Sequence, residues 1–117
     1  MGASLNKLIQ RLLTPRELGM YLTRTDILKL GRKLELPVGV GERRSMLRSL
    51  FELAGQYEVV SELSAAFAAL LEQEQDQLLA LEDEFPQWKP YGRVWRQRLA
   101  QSVDVFRDAQ EDNPVTD

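Results

Sequence analysis

A chain of 117 residues with 44% hydrophobic and 28% charged side chains has the composition of one folded domain, not of a disordered segment. It contains neither cysteine nor histidine, which removes disulfides, thiolate nucleophiles, Cys- or His-ligated zinc, Ser-His-Asp hydrolysis and the Glu-x-x-His sites of di-iron bundles. The net charge of −3 conceals a division: residues 1–48 hold ten Lys or Arg against four Asp or Glu, while between Ser49 and Trp88 there are nine carboxylates and no cation.

In chain order, Leu5, Leu8, Ile9, Leu12 and Leu13 recur at three- and four-residue steps and predict a short helix capped by Ser4. Thr14-Pro15-Arg16-Glu17 reads as a second start: Thr14 caps, Pro15 takes the first position where an N–H is not needed, and Glu17 closes a capping box. Leu18, Tyr21 and Leu22 give this short helix its apolar face. Thr25 opens a third helix carrying Ile27, Leu28, Leu30 and Leu34. The stretch Leu36-Pro37-Val38-Gly39-Val40-Gly41 is the clearest break, and a fourth helix follows from Glu42 with Gly55 as its C-terminal cap.

From about 56 to 85 the chain has no proline, and Val60, Leu63, Phe67, Leu70, Leu71, Leu78, Leu81 and Phe85 predict one long helix. Pro86 ends it. Pro90 opens a last helix over about 90–110, where Tyr91, Val94, Trp95, Leu99, Val103 and Phe106 share a side and Arg93, Arg96, Arg98 and Arg107 take the others. No period-two stretch is long enough for a strand. The expected fold is all-α: a compact bundle of five to six helices over residues 1–110, the long central helix antiparallel to the C-terminal one, with a flexible tail over 111–117 that has nothing to pack.

The acidic residues invite a metal reading. Glu58 and Glu62 share a helix face, but Glu72, Glu74 and Asp76 point apart, and Glu82-Asp83-Glu84 lacks the order of a calcium loop. A solvated acidic face is the expectation, with no metal and no cofactor. Glu74 stands apart because it falls on the apolar stripe, so it needs exposure or a partner from the arginine-rich helix.

Two groups point to partners. Trp88, Tyr91, Arg93, Trp95 and Arg96 combine the residue types of interface hot spots and form the candidate protein interface. The basic segment 24–48 superficially resembles a helix-turn-helix and would offer Arg32, Lys33, Arg43, Arg44 and Arg48 to a nucleic acid. Glu35 stands where such units favour glycine, and the acidic long helix would repel phosphates. The leading expectation is a non-catalytic helical interaction protein: an adaptor, assembly factor or regulatory subunit that binds a protein partner or itself. The alternative is a nucleic-acid-binding regulator. Without an apolar run long enough to span a bilayer or a signal-peptide pattern, a cytoplasmic location is expected.

Overall fold

Two proline-marked reversals and one long uninterrupted apolar stripe set the architecture. The computed structural model describes the backbone of residues 2–112 and the side chains of residues 5–108. Six helices account for most of it: α1 (Gly2–Leu13), α2 (Pro15–Leu18), α3 (Arg24–Lys33), α4 (Arg43–Gln56), α5 (Val60–Glu84) and α6 (Lys89–Asp112). No strand occurs among the described residues. The long central helix α5 and the C-terminal α6 make the most extensive helix–helix contact, as antiparallel partners joined by a 3-10 turn at Pro86–Trp88. Glu111 and Asp112 continue α6, and the rest of the expected tail, 113–117, lies outside the described residues.

The core gathers where the short helices meet this hairpin. Phe67 of α5 is fully buried between Phe51 of α4 and Phe106 of α6, with ring centroids 5.7 and 4.8 Å apart and interplanar angles of 6° and 9°. Ile9, Leu12, Leu18, Leu22, Ile27, Met46, Leu47, Leu50, Leu63, Leu71 and Leu99 complete it. Against α6 the approach is closest at Gly19, which ends α2 in the left-handed region (φ 101°). A Cβ there would lie 2.6 Å from the Leu99 backbone nitrogen, so only glycine lets α2 rest on α6. Ser102 locks the same joint. Its buried hydroxyl accepts from Arg11 Nε (3.0 Å) and donates to the Leu18 carbonyl (3.0 Å), linking α1, α2 and α6.

Several helix ends differ from the sequence reading. α1 is already helical at Gly2, so Ser4 is not its cap. The Thr14 hydroxyl donates back to the Gln10 carbonyl (2.7 Å) and forms no box with Glu17. The capping box belongs to Thr23, which accepts from the Asp26 N–H (3.0 Å) while its own N–H donates to the Asp26 carboxylate (2.9 Å). The long helix starts at Val60, not near 56, because Glu58 turns the chain at φ 59° after α4. The Val59 N–H then bonds the Ala54 carbonyl (2.8 Å) and the Glu58 N–H bonds Gly55, completing a Schellman motif. Glu35 (φ 57°) does the same after α3, with Leu36 N–H on the Gly31 carbonyl at 2.8 Å. Glu58 thus precedes α5, and the pairing of Glu58 with Glu62 on one helix face does not form.

A left-handed conformation costs an L-residue about 1–2 kcal/mol, and glycine gives back part of that in unfolded-state entropy. Glu58→Gly is therefore expected to raise the unfolding free energy by about 0.5–1 kcal/mol in urea titrations, and Glu58→Ala to leave it nearly unchanged. Phe67→Ala, which empties the middle of the ring stack, is expected to lower it by about 3–5 kcal/mol in the same titration.

Candidate functional site

The stripe that builds the core does not stop where the core stops. Along α5 the steps from Phe67 through Leu71 and Glu74 reach Leu78, Leu81 and Phe85. Along α6 the side that holds Ser102 and Arg98 continues through Trp95 and Tyr91 to Trp88. Between Leu79 and Val94, however, the only buried residues are Glu82 and Gly92. This end of the hairpin is thus a two-helix projection, and it carries Leu81, Phe85, Trp88 (49% exposed), Tyr91 (64% exposed) and Val94 in the open.

With no third layer over it, the projection is held by a polar clasp. Glu82 is 3% exposed and accepts two parallel bonds from Arg96, Nε to Oε2 at 2.7 Å and Nη2 to Oε1 at 2.8 Å. Gly92 makes room for it, since a Cβ at that position would lie 2.6 Å from Glu82 Cδ. The hydrogen bonds from Arg96 hold the Glu82 carboxyl below its ordinary value, outweighing the opposing effect of burial, and the charges of Arg96, Lys89 and Arg93 act in the same direction. The Arg96 guanidinium is correspondingly pushed up, chiefly by its bonds to Glu82. Gln75 Nε2 reaches the Arg96 carbonyl at 3.4 Å.

Beside this clasp lies a cavity of about 300 Å³ lined by Leu78, Leu81, Glu82, Trp88, Tyr91, Gly92 and Trp95. Trp88 and Tyr91 form an angled wall, with centroids 5.7 Å apart and planes at 54°. Trp95 is half-buried, and the Arg98 guanidinium sits 4.9 Å above its ring. Of the five residues singled out as a protein interface, Trp88, Tyr91 and Trp95 therefore share one cavity. Arg93 is exposed and does not line it, and Arg96 is turned inward to Glu82.

The acid that meets the arginine-rich helix is Glu82, which the sequence reading placed in a solvated trio. Glu74, singled out for such a partner, is half-buried and makes no ion pair or side-chain hydrogen bond among the described residues. The signal for Glu82 was present: Leu71, Gln75, Leu78 and Glu82 recur at four, three and four residues, the seam toward α6. A second bridge, Arg107 to Glu72 at 2.8 Å, is exposed.

The arginines of the basic segment mostly serve the fold. Arg43 donates to the Leu22 carbonyl (2.9 Å) and lies 4.3 Å over the Tyr21 ring, Arg44 bonds Gln10 (2.9 Å), and Arg48 bonds Asn6 (2.8 Å). Arg32 and Lys33 stand exposed in the last turn of α3. The connection from α3 to α4 runs from Leu34 to Glu42, longer than the three- or four-residue turn of a helix-turn-helix. Beside it an open groove of about 600 Å³ mixes Glu42 with Arg24, Arg43 and Arg44.

Among the described residues no group of three or more acidic side chains is placed to hold a metal ion, and no helix is long and apolar enough to cross a membrane. No protein-family model, no curated protein and no solved structure matches the chain.

The clasp has a pH signature. Folded Glu82 holds its proton less tightly than the unfolded chain does. Its contribution is therefore complete above the ordinary carboxylate value of 4.5 and is lost as pH falls through the lower folded value. The gap in urea midpoint between the wild type and Glu82→Gln is expected to be widest at neutral pH and to shrink as pH drops below about 4.5. Gly92→Ala is expected to lower the midpoint at neutral pH by displacing the same carboxylate.

Proposed function

We propose that this chain is a non-catalytic helical interaction module, an adaptor, assembly factor or regulatory subunit, that engages a protein partner through the projecting end of the α5–α6 hairpin. The observation that carries this reading is the exposure of Leu81, Phe85, Trp88 and Tyr91 on a segment fixed from within by the Glu82–Arg96 clasp. Aromatic residues grouped around a cavity, with arginine nearby, match the composition of binding hot spots. A preset backbone also reduces the ordering cost of association. The all-helical fold suits such a role but does not choose among adaptor, assembly factor and regulator.

The nucleic-acid reading has less support, because Arg43, Arg44 and Arg48 already spend a donor on α1 and on Leu22. Salt-sensitive duplex binding that is lost in Arg32→Ala/Lys33→Ala would favour it instead.

The test is a photo-crosslinking residue placed at Tyr91, with a control at Val40, which is 76% exposed and remote in sequence from the hairpin end. In cells that make the protein, position 91 is expected to yield discrete protein adducts and position 40 none. Absence of adducts at 91, or the same products from both positions, would end this reading.

A further inference from the structure

The sides of α5 and α6 that form the cavity are the same sides that the body covers with other helices. On α6, α2 rests at Arg98–Ser102: a Cβ on Gly19 would meet the Leu99 backbone, and Ser102 bonds the Leu18 carbonyl. Ser102, Arg98, Trp95, Tyr91 and Trp88 recur at three- and four-residue steps, so the exposed aromatics continue the surface on which α2 lies. On α5, Phe67 receives Phe51 of α4, and Phe67, Leu71, Glu74, Leu78 and Leu81 follow the same steps. The end of the hairpin is thus a two-helix layer whose outer surface, nearer the body, carries a third helix. Gly92, with the Glu82 carboxylate seated against it, forms the floor between the two walls. An added helix would seat against these ridges as helices pack elsewhere in bundles.

Charge selects what kind of helix. α5 carries no Lys or Arg along its whole length. Glu74 does not line the cavity but follows the same α5 stripe one turn before Leu78, half-buried and without an ion pair or side-chain hydrogen bond among the described residues. A cation on a bound segment would meet this carboxylate without displacing an existing partner. Lys89 and Arg93 do not supply a cation themselves, because their spacing from Tyr91 and Trp95 puts them on the other side of α6, and Arg98, on the groove side, stacks over Trp95 and makes no ion pair with Glu74 among the described residues. We infer that the groove takes an amphipathic α-helix of a partner protein, its apolar ridge set between Leu78, Leu81 and Tyr91 and its flank toward α5 bearing Lys or Arg opposite Glu74. This rests on the reading of the hairpin end as an interface and adds the chemistry of what binds there.

The test uses the full chain and two synthetic helical peptides of equal length with the same leucine face, one with lysine and one with glutamate on its polar side. Trp88 and Trp95 are the chain's two tryptophans and both line the groove, so their emission reports occupancy directly. The Leu/Lys peptide is expected to shift that emission and to bind at least about tenfold more tightly than the Leu/Glu peptide. Glu74→Gln is expected to narrow that preference several-fold at an unchanged Tm, and Tyr91→Ala to remove the emission shift. A Leu/Glu peptide that binds as well or better would overturn the basic-helix assignment while leaving the interface in place. Leu/Lys binding that neither moves the tryptophan emission nor responds to Glu74→Gln would place it elsewhere on the acidic surface and overturn the proposal. A native mass showing dimers that Tyr91→Ala dissolves would make a second copy the occupant instead. No binding of either peptide together with a strict monomer would count against the interface itself.

Discussion

The α5–α6 hairpin is longer than the set of helices that packs on it, and this mismatch governs the rest of the molecule. Its α5 of 25 residues runs about 37 Å at 1.5 Å per residue, whereas the longest helix outside the hairpin, α4, has 14 residues and covers about 21 Å. Where the short helices reach, the hairpin contributes to a three-layer core with Phe67 at its centre. Beyond that reach the same apolar stripe has only one neighbour. Two antiparallel helices alone bury one seam, and the sides that would face a third element stay in water.

A two-helix end needs something other than core volume to fix its register, and Glu82 with Arg96 supplies it. A fork of two bonds tolerates little sliding of one helix along the other, and the absent side chain at Gly92 admits the carboxylate at one position only. A hydrophobic pair at this point would adhere at several registers. A bidentate pair is satisfied at one, the use of buried charge best attested elsewhere. The clasp therefore holds Leu78 and Leu81 level with Tyr91 and Trp95, and the shape of the cavity follows from it.

Periodicity and proline placement made the hairpin legible: the stripe from Val60 to Phe85, the stop at Pro86 and the start at Pro90 each correspond to a structural event. Helix ends were less legible because two left-handed caps fall on Glu35 and Glu58, residue types that carry no cap signal, while Gly39 and Gly41 take no positive φ at all. The site was half visible. Trp88, Tyr91 and Trp95 could be grouped from spacing alone, since they lie within about two turns of one another from the 3-10 turn into the start of α6. Choosing Glu82 over Glu74 as the buried acid required the register between two helices. The spacing of Leu71, Gln75, Leu78 and Glu82 offers one such seam, but that of Phe67, Leu71, Glu74 and Leu78 offers another, and the room that Gly92 leaves ten residues later decides between them. In the basic segment, charge counts likewise do not show that Arg43, Arg44 and Arg48 each give one donor to Leu22, Gln10 or Asn6.

The division of charge that marks the chain takes on a different meaning once the helices are placed. An acidic helix lies against an arginine-rich one, yet among the described residues only Glu82 and Glu72 find arginines on α6. The remaining carboxylates of α5 keep that helix acidic along its outer edge, and exposed pairs would have added little stability in any case. What the charge does instead is impose a sign on one wall of an apolar groove. An exposed aromatic surface with no electrostatic character would invite any hydrophobic segment. The same surface bordered by Glu74, which makes no ion pair among the described residues, would set two carboxylates against each other if an acidic segment bound, and so favours a basic one.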